Sequence, residues 1–202
     1  PLAVDGLFFD PARRDERGKR FFSVEAYQPP LSWIDGWRNV VGGTVVPTAV
    51  KISPGVDYDE LPADAEVEFI SVRGELKEAV LWYGALRTAV ERRATLLVDG
   101  TMHTMTTTDM PDHIDTAPPK HFLYEPDNAI IRAHLVQQLA AQLDATKLDD
   151  DIAYLSSDAE LETPFARRFP IDDHFSFQLK RLRHYLRERD VGRVTIKKRG
   201  SP

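Results

Sequence analysis

The stretch EVEFISVRGELKEAVLWYG, residues 66–84, contains two β-patterned segments, EVEFISV and LKEAVLWYG, separated by Arg73-Gly74-Glu75. A glycine in so short a connection between β-branched and aromatic runs marks a hairpin, so the two segments pair antiparallel. Toward the N-terminus, PLAVDGLFFD (1–10) is apolar on both faces and stops at the breaker Pro11, the pattern of a buried parallel strand. After a turn at 27–30, Leu31, Ile34, Trp37 and Val40 recur at helical spacing, and Gly42-Gly43 ends that helix. A second β-rich strand covers 45–52. Strand, helix and strand in that order imply a right-handed parallel crossover, which the antiparallel hairpin then closes.

Toward the C-terminus, RRATLLV (92–98) and TMHTMTTT (101–108) flank Asp99-Gly100, a strong hairpin turn. Residues 109–120 hold Pro111, Pro118 and Pro119 with no hydrophobic periodicity, and are the expected linker. Beyond it, HFLY reads as a strand. Asp127 caps a helix whose Ile130, Ile131, Leu135, Leu139 and Leu143 keep 3.6-residue spacing. IAYL and ARRFPI read as strands, 177–189 as an amphipathic helix with Leu179, Leu182 and Leu186 on one face, and VGRVTIKK as a closing strand. The expected architecture is therefore α/β, with domains at 1–108 and 121–202. The second domain has the β-α-β-β-α-β order of a ferredoxin-like fold.

Composition narrows the function classes. The 202 residues are 42% hydrophobic and 29% charged, ordinary for a globular protein, and no apolar run reaches the ~18 residues that span a bilayer. A cytoplasmic location and no membrane partner are expected. The absence of cysteine excludes disulfides, thiolate metal sites and cysteine nucleophiles. The formal charge of −6 is uneven: residues 1–119 hold 12 Lys/Arg against 19 Asp/Glu, whereas 165–202 hold 11 against 4. A basic partner surface is therefore expected at the C-terminus. The six histidines show no metal-ligand spacing, so no metal is expected, and no Ser-His-Asp set or phosphate loop stands out.

Asp10-Pro11-Ala12-Arg13 falls at the C-terminal end of a parallel strand, where open α/β sheets place their ligand crevice. A strand-end turn with a local Asp–Arg pair is the plainer reading. Arg13, Arg14, Arg17, Lys19 and Arg20 form a basic loop on the same rim, suited to phosphates or carboxylates and equally to solvent. Lys51 and Ser53-Pro54-Gly55 end the next strand and share that rim. Arg167, Arg168, Lys197 and Lys198, interleaved with Phe165 and Phe169, suit single-stranded RNA through phosphate pairing and stacking. Lysines on an edge strand also serve simply to block aggregation.

The segments FFDPARR (8–14), KISPGVD (51–57), EFISVRGELKEAVLW (68–82), FLYEPDNAIIRA (122–133), AYLSSD (153–158), TPFARRF (163–169) and DVGRVTIKKRG (190–200) occur in an informative order. Together they resemble a family of bacterial class I S-adenosylmethionine (SAM)-dependent methyltransferases with a C-terminal THUMP-like domain. The resemblance covers nearly the whole chain. It implies that 1–108 is the C-terminal half of a Rossmann-like methyltransferase sheet, that SAM is the parent protein's cofactor, and that RNA is a partner. Asp10, Pro11 and Arg13 match in position an Asp-Pro-Pro motif of nucleic-acid methyltransferases, whose carboxylate accepts a hydrogen bond from an attacking amine. Ala12 and Arg13 depart from that motif, and no aromatic within it stacks a flipped base. Arg14, Lys51, Arg167, Arg168, Lys197 and Lys198 are the expected substrate contacts. The resemblance further implies that the glycine-rich turn and acidic strand end that hold SAM lie outside this chain. The chain alone is then inactive, and the apolar edge at 2–9 is a site for homodimerisation. A non-catalytic scaffold and a methyltransferase for a small molecule or protein are the competing readings.

Overall fold

The computed structural model describes residues 4–19, 21, 23–38, 46–107, 111 and 113–197. The N-terminal strand β1 (Leu7–Phe9) runs parallel to β2 (Thr48–Ile52), with Phe8 opposite Ala49. Helix α1 (Leu31–Arg38) lies between them in sequence, burying Leu31 and Ile34 while Trp33 and Trp37 stay exposed. Val40 and the helix stop expected at Gly42-Gly43 lie outside the described residues.

The hairpin of β3 (Glu66–Val72) and β4 (Glu75–Tyr83) forms as expected. Its two-residue turn holds Arg73 at φ 51° and Gly74 at φ 80°, the left-handed pair that matches the twist of the flanking strands. The second hairpin, β5 (Arg92–Val98) with β6 (Thr101–Thr106), repeats this at Asp99 (φ 48°) and Gly100 (φ 80°). The sheet order is β1-β2-β4-β3-β5-β6, with β4 antiparallel to both β2 and β3, and β5 parallel to β3. Strands β1, β2, β3 and β5 therefore point the same way. Asp10 and Ser53 follow the ends of β1 and β2, and Arg73 and Asp99 follow the ends of β3 and β5, about five residues further along in the same direction.

The second sheet corrects the expected topology. Its strands are β7 (Phe122–Pro126), β8 (Thr146–Asp149), β9 (Ile152–Ser157) and β10 (Ala166–Pro170), all antiparallel in the order β10-β7-β9-β8. Strands β7 and β8 run parallel on either side of β9, which keeps the split β-α-β of a ferredoxin-like fold. Among the described residues the β-α-β-β-α-β order itself does not occur. Residues 158–165 join β9 to β10 without a helix, α4 (Leu179–Glu188) follows the sheet, and residues 191–197 of VGRVTIKK form no strand. Lys-Leu-Asp in β8 carries no β signal, so the true second strand escapes a pattern reading. ARRFP then fills the fourth place in the sheet. Left without a partner, Val194 is 46% and Ile196 80% exposed.

The helix expected from Asp127 is broken into α2 (Asn128–Arg132) and α3 (Val136–Gln142) by His134 at φ 56°. Asp127 does cap α2, accepting the Ala129 amide at 2.8 Å, and it also accepts the Ser71 hydroxyl of β3 at 2.9 Å. Around Arg132 the two sheets are joined further. Its guanidinium donates to the Val56 carbonyl and lies over the Tyr58 and Phe69 rings, and the Tyr58 hydroxyl donates to its carbonyl. Buried residues from Val24 to Leu155 form one continuous core. The segment expected as a linker is tied down where described: Ile114 is buried, and residues 115–117 exchange backbone hydrogen bonds with Lys147 of β8.

Two carboxylates are buried on the main sheet. Glu66 accepts the Thr88 amide and hydroxyl, and Glu68 accepts Trp82 Nε1 at 2.8 Å and the Thr95 hydroxyl at 2.5 Å. Arg93 compensates both, donating to Glu68 at 3.1 Å and lying 3.3 Å from Glu66 as a charge contact without hydrogen-bond alignment. Removing one partner of a buried ion pair strands the other charge. Arg93→Ala should therefore lower stability by about 3–5 kcal/mol in urea unfolding, and Glu68→Gln in the same background should recover part of it. A loss below 1 kcal/mol would show that water already screens the carboxylates.

His134 stacks on Tyr58 at 4.2 Å between ring centroids, with Arg92 3.3 Å from its Nδ1. Burial, then the Arg92 and Arg132 charges, hold its pKa below the ordinary 6.5. The folded state thus binds its proton less readily than the unfolded chain does. The associated stability is complete above about pH 6.5 and declines as pH falls toward the folded-state pKa. His134→Asn, which tolerates the same backbone angle, should flatten the melting temperature between pH 7 and 5.5 relative to the parent chain. Equal pH slopes in both proteins would assign the dependence to other groups.

Candidate functional site

The rim at the end of β1 is shaped by local sequence. Pro11 is buried, and the backbone of Ala12 pairs with Gln28 in both directions at 2.9 and 3.1 Å, turning the chain away from the sheet. Asp10, one residue past β1, keeps a side chain that is 51% exposed. Across the rim, Lys51 of β2 places its ammonium 3.5 Å from Asp10 and 3.0 Å from Glu78 of β4. The Glu78 hydrogen bond chiefly, with Asp10 adding to it against partial burial, raises the Lys51 pKa above its ordinary value. Arg13 donates to the Ile52 carbonyl at 3.1 Å and so is anchored on the end of β2. Arg14 donates to Gly18 at 2.8 Å within its own loop, which Asp15 closes by accepting the Arg17 and Lys19 amides.

The structure thus brings Asp10, Pro11, Arg13 and Lys51 together, turns Arg14 into its own loop, and adds Glu78. Beside this rim an apolar groove of about 320 Å³ is lined by Phe9, Pro29, Trp33 and Trp37. The Phe9 and Trp37 rings meet edge to face at 6.3 Å. The motif itself lacks an aromatic, but the fold sets two exposed tryptophans next to it.

The C-terminal cations divide differently. Successive residues of a strand face opposite sides, so Arg167 and Arg168 of β10 part company. Arg168 lies over Phe122 and is held by Glu160 and Glu162, each at 2.9 Å. Lys197 pairs with Glu125 of β7, and Lys198 lies outside the described residues. Arg167 faces a cleft of about 470 Å³ between the Arg73-Gly74 turn, the Asp99 turn and the edge of the second sheet. Pattern reading missed Arg73, Asp99 and Glu125. The available signal was that parallel β3 and β5 put both hairpin turns side by side at one end of the sheet. Among the described residues, no cluster of three His, Asp or Glu side chains is placed to hold a metal. Among the described residues no helix is long and apolar enough to cross a membrane.

The pairing of Lys51 bears on whether Asp10 can act. Exposed ion pairs contribute about 0.2–1 kcal/mol each. Double-mutant cycles in urea should give the Lys51–Glu78 pair a coupling in that range and the longer Lys51–Asp10 pair a smaller one. The reverse order would mean that Asp10 is committed to the ion pair and poorly placed to receive a substrate.

A family model described as THUMP domain-like matches residues 166–202. Over 206 aligned residues the chain is 37% identical to an uncharacterized S-adenosylmethionine-dependent methyltransferase of Mycobacterium tuberculosis, found in two strains. The match takes in 99% of the chain and 54% of the relative, so the chain spans about half the length of the curated relatives it matches. A crystal structure of a protein described as a methyltransferase from Porphyromonas gingivalis superposes with a TM-score of 0.66 over 91% of the chain and 47% of that protein. At 20% identity this second likeness establishes the fold alone. Along its length the chain is thus similar to an S-adenosylmethionine-dependent methyltransferase, and its terminal segment to a THUMP-like domain.

Proposed function

We propose that the chain is part of a SAM-dependent methyltransferase acting on RNA, with residues 1–108 supplying the reaction rim and 121–202 capturing the RNA. The observation that carries this reading is the common direction of the strands. The Asp10–Lys51 corner and the cleft faced by Arg167 both lie past C-terminal ends of parallel-running strands, the cleft about five residues further along, so one bound strand can reach both. The basic helix α4 supports it too, since Lys180, Arg181, Arg183 and Arg187 lie on an exposed surface beyond the second sheet.

The described residues do not by themselves make a SAM pocket. Open α/β sheets hold such a cofactor on a glycine turn that leads from a strand into a helix N-terminus. Here β1 is followed by the Ala12–Gln28 bridge and β2 by Ser53-Pro54-Gly55 and a short 3₁₀ turn at Tyr58–Glu60. SAM would supply an electrophilic methyl group. The chain's own contribution is to position the nucleophile. In this reading the outer oxygen of Asp10 accepts an N–H of the attacking amine, and Pro11 and the Arg13–Ile52 bond hold the carboxylate's loop in place. Trp33 and Trp37 offer a flat surface for an unstacked base.

In the full-length protein, Asp10→Asn should lower the rate of radiolabelled methyl transfer from SAM to RNA by roughly 100-fold or more, the usual worth of a positioned acid–base group. RNA affinity should stay within about twofold, because the change is confined to the reacting end. Labelling of small molecules or protein in place of RNA would support another substrate class. No transfer by the full-length wild type would favour the scaffold reading.

A further inference from the structure

The cleft faced by Arg167 holds two cations in a different state from their neighbours. Lys197 is neutralised by Glu125, and Arg168 by Glu160 and Glu162. Arg73 and Arg167 are both exposed, and among the described residues neither has a carboxylate within ion-pair distance. Both line the same cleft, and Nη2 of Arg167 lies 2.8 Å from the point where a Cβ on Gly74, the residue after Arg73, would stand. An oxyanion in that cleft can pair with guanidinium groups that no carboxylate neutralises.

We propose that this cleft is a phosphate-binding subsite, in which Arg73 and Arg167 together hold one phosphate group of a nucleotide. The inference deepens the RNA reading by naming where a strand is gripped away from the reacting base. Of the cleft's carboxylates, Glu125 is engaged by Lys197, and Asp127 by the Ser71 hydroxyl and the Ala129 amide. Asp99 remains on the neighbouring turn, where it can accept from a ribose hydroxyl or a base amino group. This balance suits a nucleotide better than a bare polyanion. The volume of about 470 Å³ falls within the range of small-ligand sites.

Position adds a second argument. Arg73 follows β3, three strands from β1 in the sheet order. By the strand register Asp10 stands level with Glu68, so the subsite lies about 14 Å across the sheet and about 16 Å further along it, roughly 22 Å from Asp10. A strand stacked at about 3.4 Å per nucleotide covers that distance in about six or seven nucleotides. Gly74 has two roles here. Its φ of 80° suits the turn, and its missing side chain leaves room for Arg167. Gly100 has the same angle in the sister turn and nothing within 4 Å, so it serves as the internal control.

The test uses the full chain, with fluorescence anisotropy of a labelled single-stranded RNA across a salt series and NMR of arginine Nε–H signals with inorganic pyrophosphate. Thermal unfolding confirms that each variant is folded. Arg73→Gln and Arg167→Gln should each weaken RNA binding about tenfold or more, and should flatten the log–log salt slope by about 0.7. Gly74→Ala, which displaces Arg167 without removing its charge, should weaken binding where Gly100→Ala does not. RNA binding that ignores all of these changes would overturn the subsite and leave the RNA reading standing. Pyrophosphate shifts at Arg73 and Arg167 without RNA binding would keep the subsite, identify free phosphate compounds as its source, and overturn the RNA reading. Absence of both signals would overturn both.

Discussion

The insertion of β4 between β2 and β3 is the constraint on which the molecule depends. Because β4 pairs antiparallel with both, β3 must run in the direction of β2, and β5, paired parallel with β3, follows. Four strands consequently end in the same direction. Asp10 meets Lys51 at the ends of β1 and β2, and Arg73 meets Asp99 about five residues further along, at the ends of β3 and β5. A hairpin folded onto the outside of β2 in the opposite order would have set the Arg73 turn beside a different strand end.

The join between the two sheets depends on polar groups as much as on apolar packing. Asp127 completes the first turn of α2 and at the same time accepts from Ser71, so one carboxylate caps a helix in one sheet's crossover and fixes it to the other sheet. Arg132 does the same in reverse, spreading its guanidinium over Phe69 and Tyr58 while its carbonyl takes the Tyr58 hydroxyl. Arginine suits such a place because its flat cation stacks on rings and still donates at its edge. The break at His134 turns α3 away from the line of α2, and Leu135, Leu139 and Leu143 remain fully packed in the core.

Charge at the C-terminal end is less available than a residue count suggests. Of the basic residues on or beside β10, Arg168 and Lys197 are held by glutamates, and Arg167, beside Gly74, meets no carboxylate among the described residues. Four of the eleven basic residues in 165–202 lie on α4, none of whose residues is buried; Arg181 within it and Arg189 at its end lie over the Phe175 and Tyr185 rings. The same segment that matches the THUMP-like family therefore combines one ordered strand with an exposed basic helix.

What the sequence determined by itself was local. Arg73-Gly74 and Asp99-Gly100 specify their hairpins because only a few residues accept two consecutive left-handed positions, and Asp127 announces a helix start because its carboxylate satisfies an amide that no helix bond can reach. The Asp10-Pro11-Ala12-Arg13 motif and its placement at a strand end were legible for the same reason. Only the tertiary structure decided which segments became strands in the second sheet, since TKLD pairs and residues 191–197 do not. Strand formation depends on finding an edge with matching register, and propensity yields to that. The same holds for charge: a side chain's type is written in the sequence, but whether Arg167 is free and Arg168 neutralised depends on which face of β10 each occupies and which glutamates the fold brings within 3 Å.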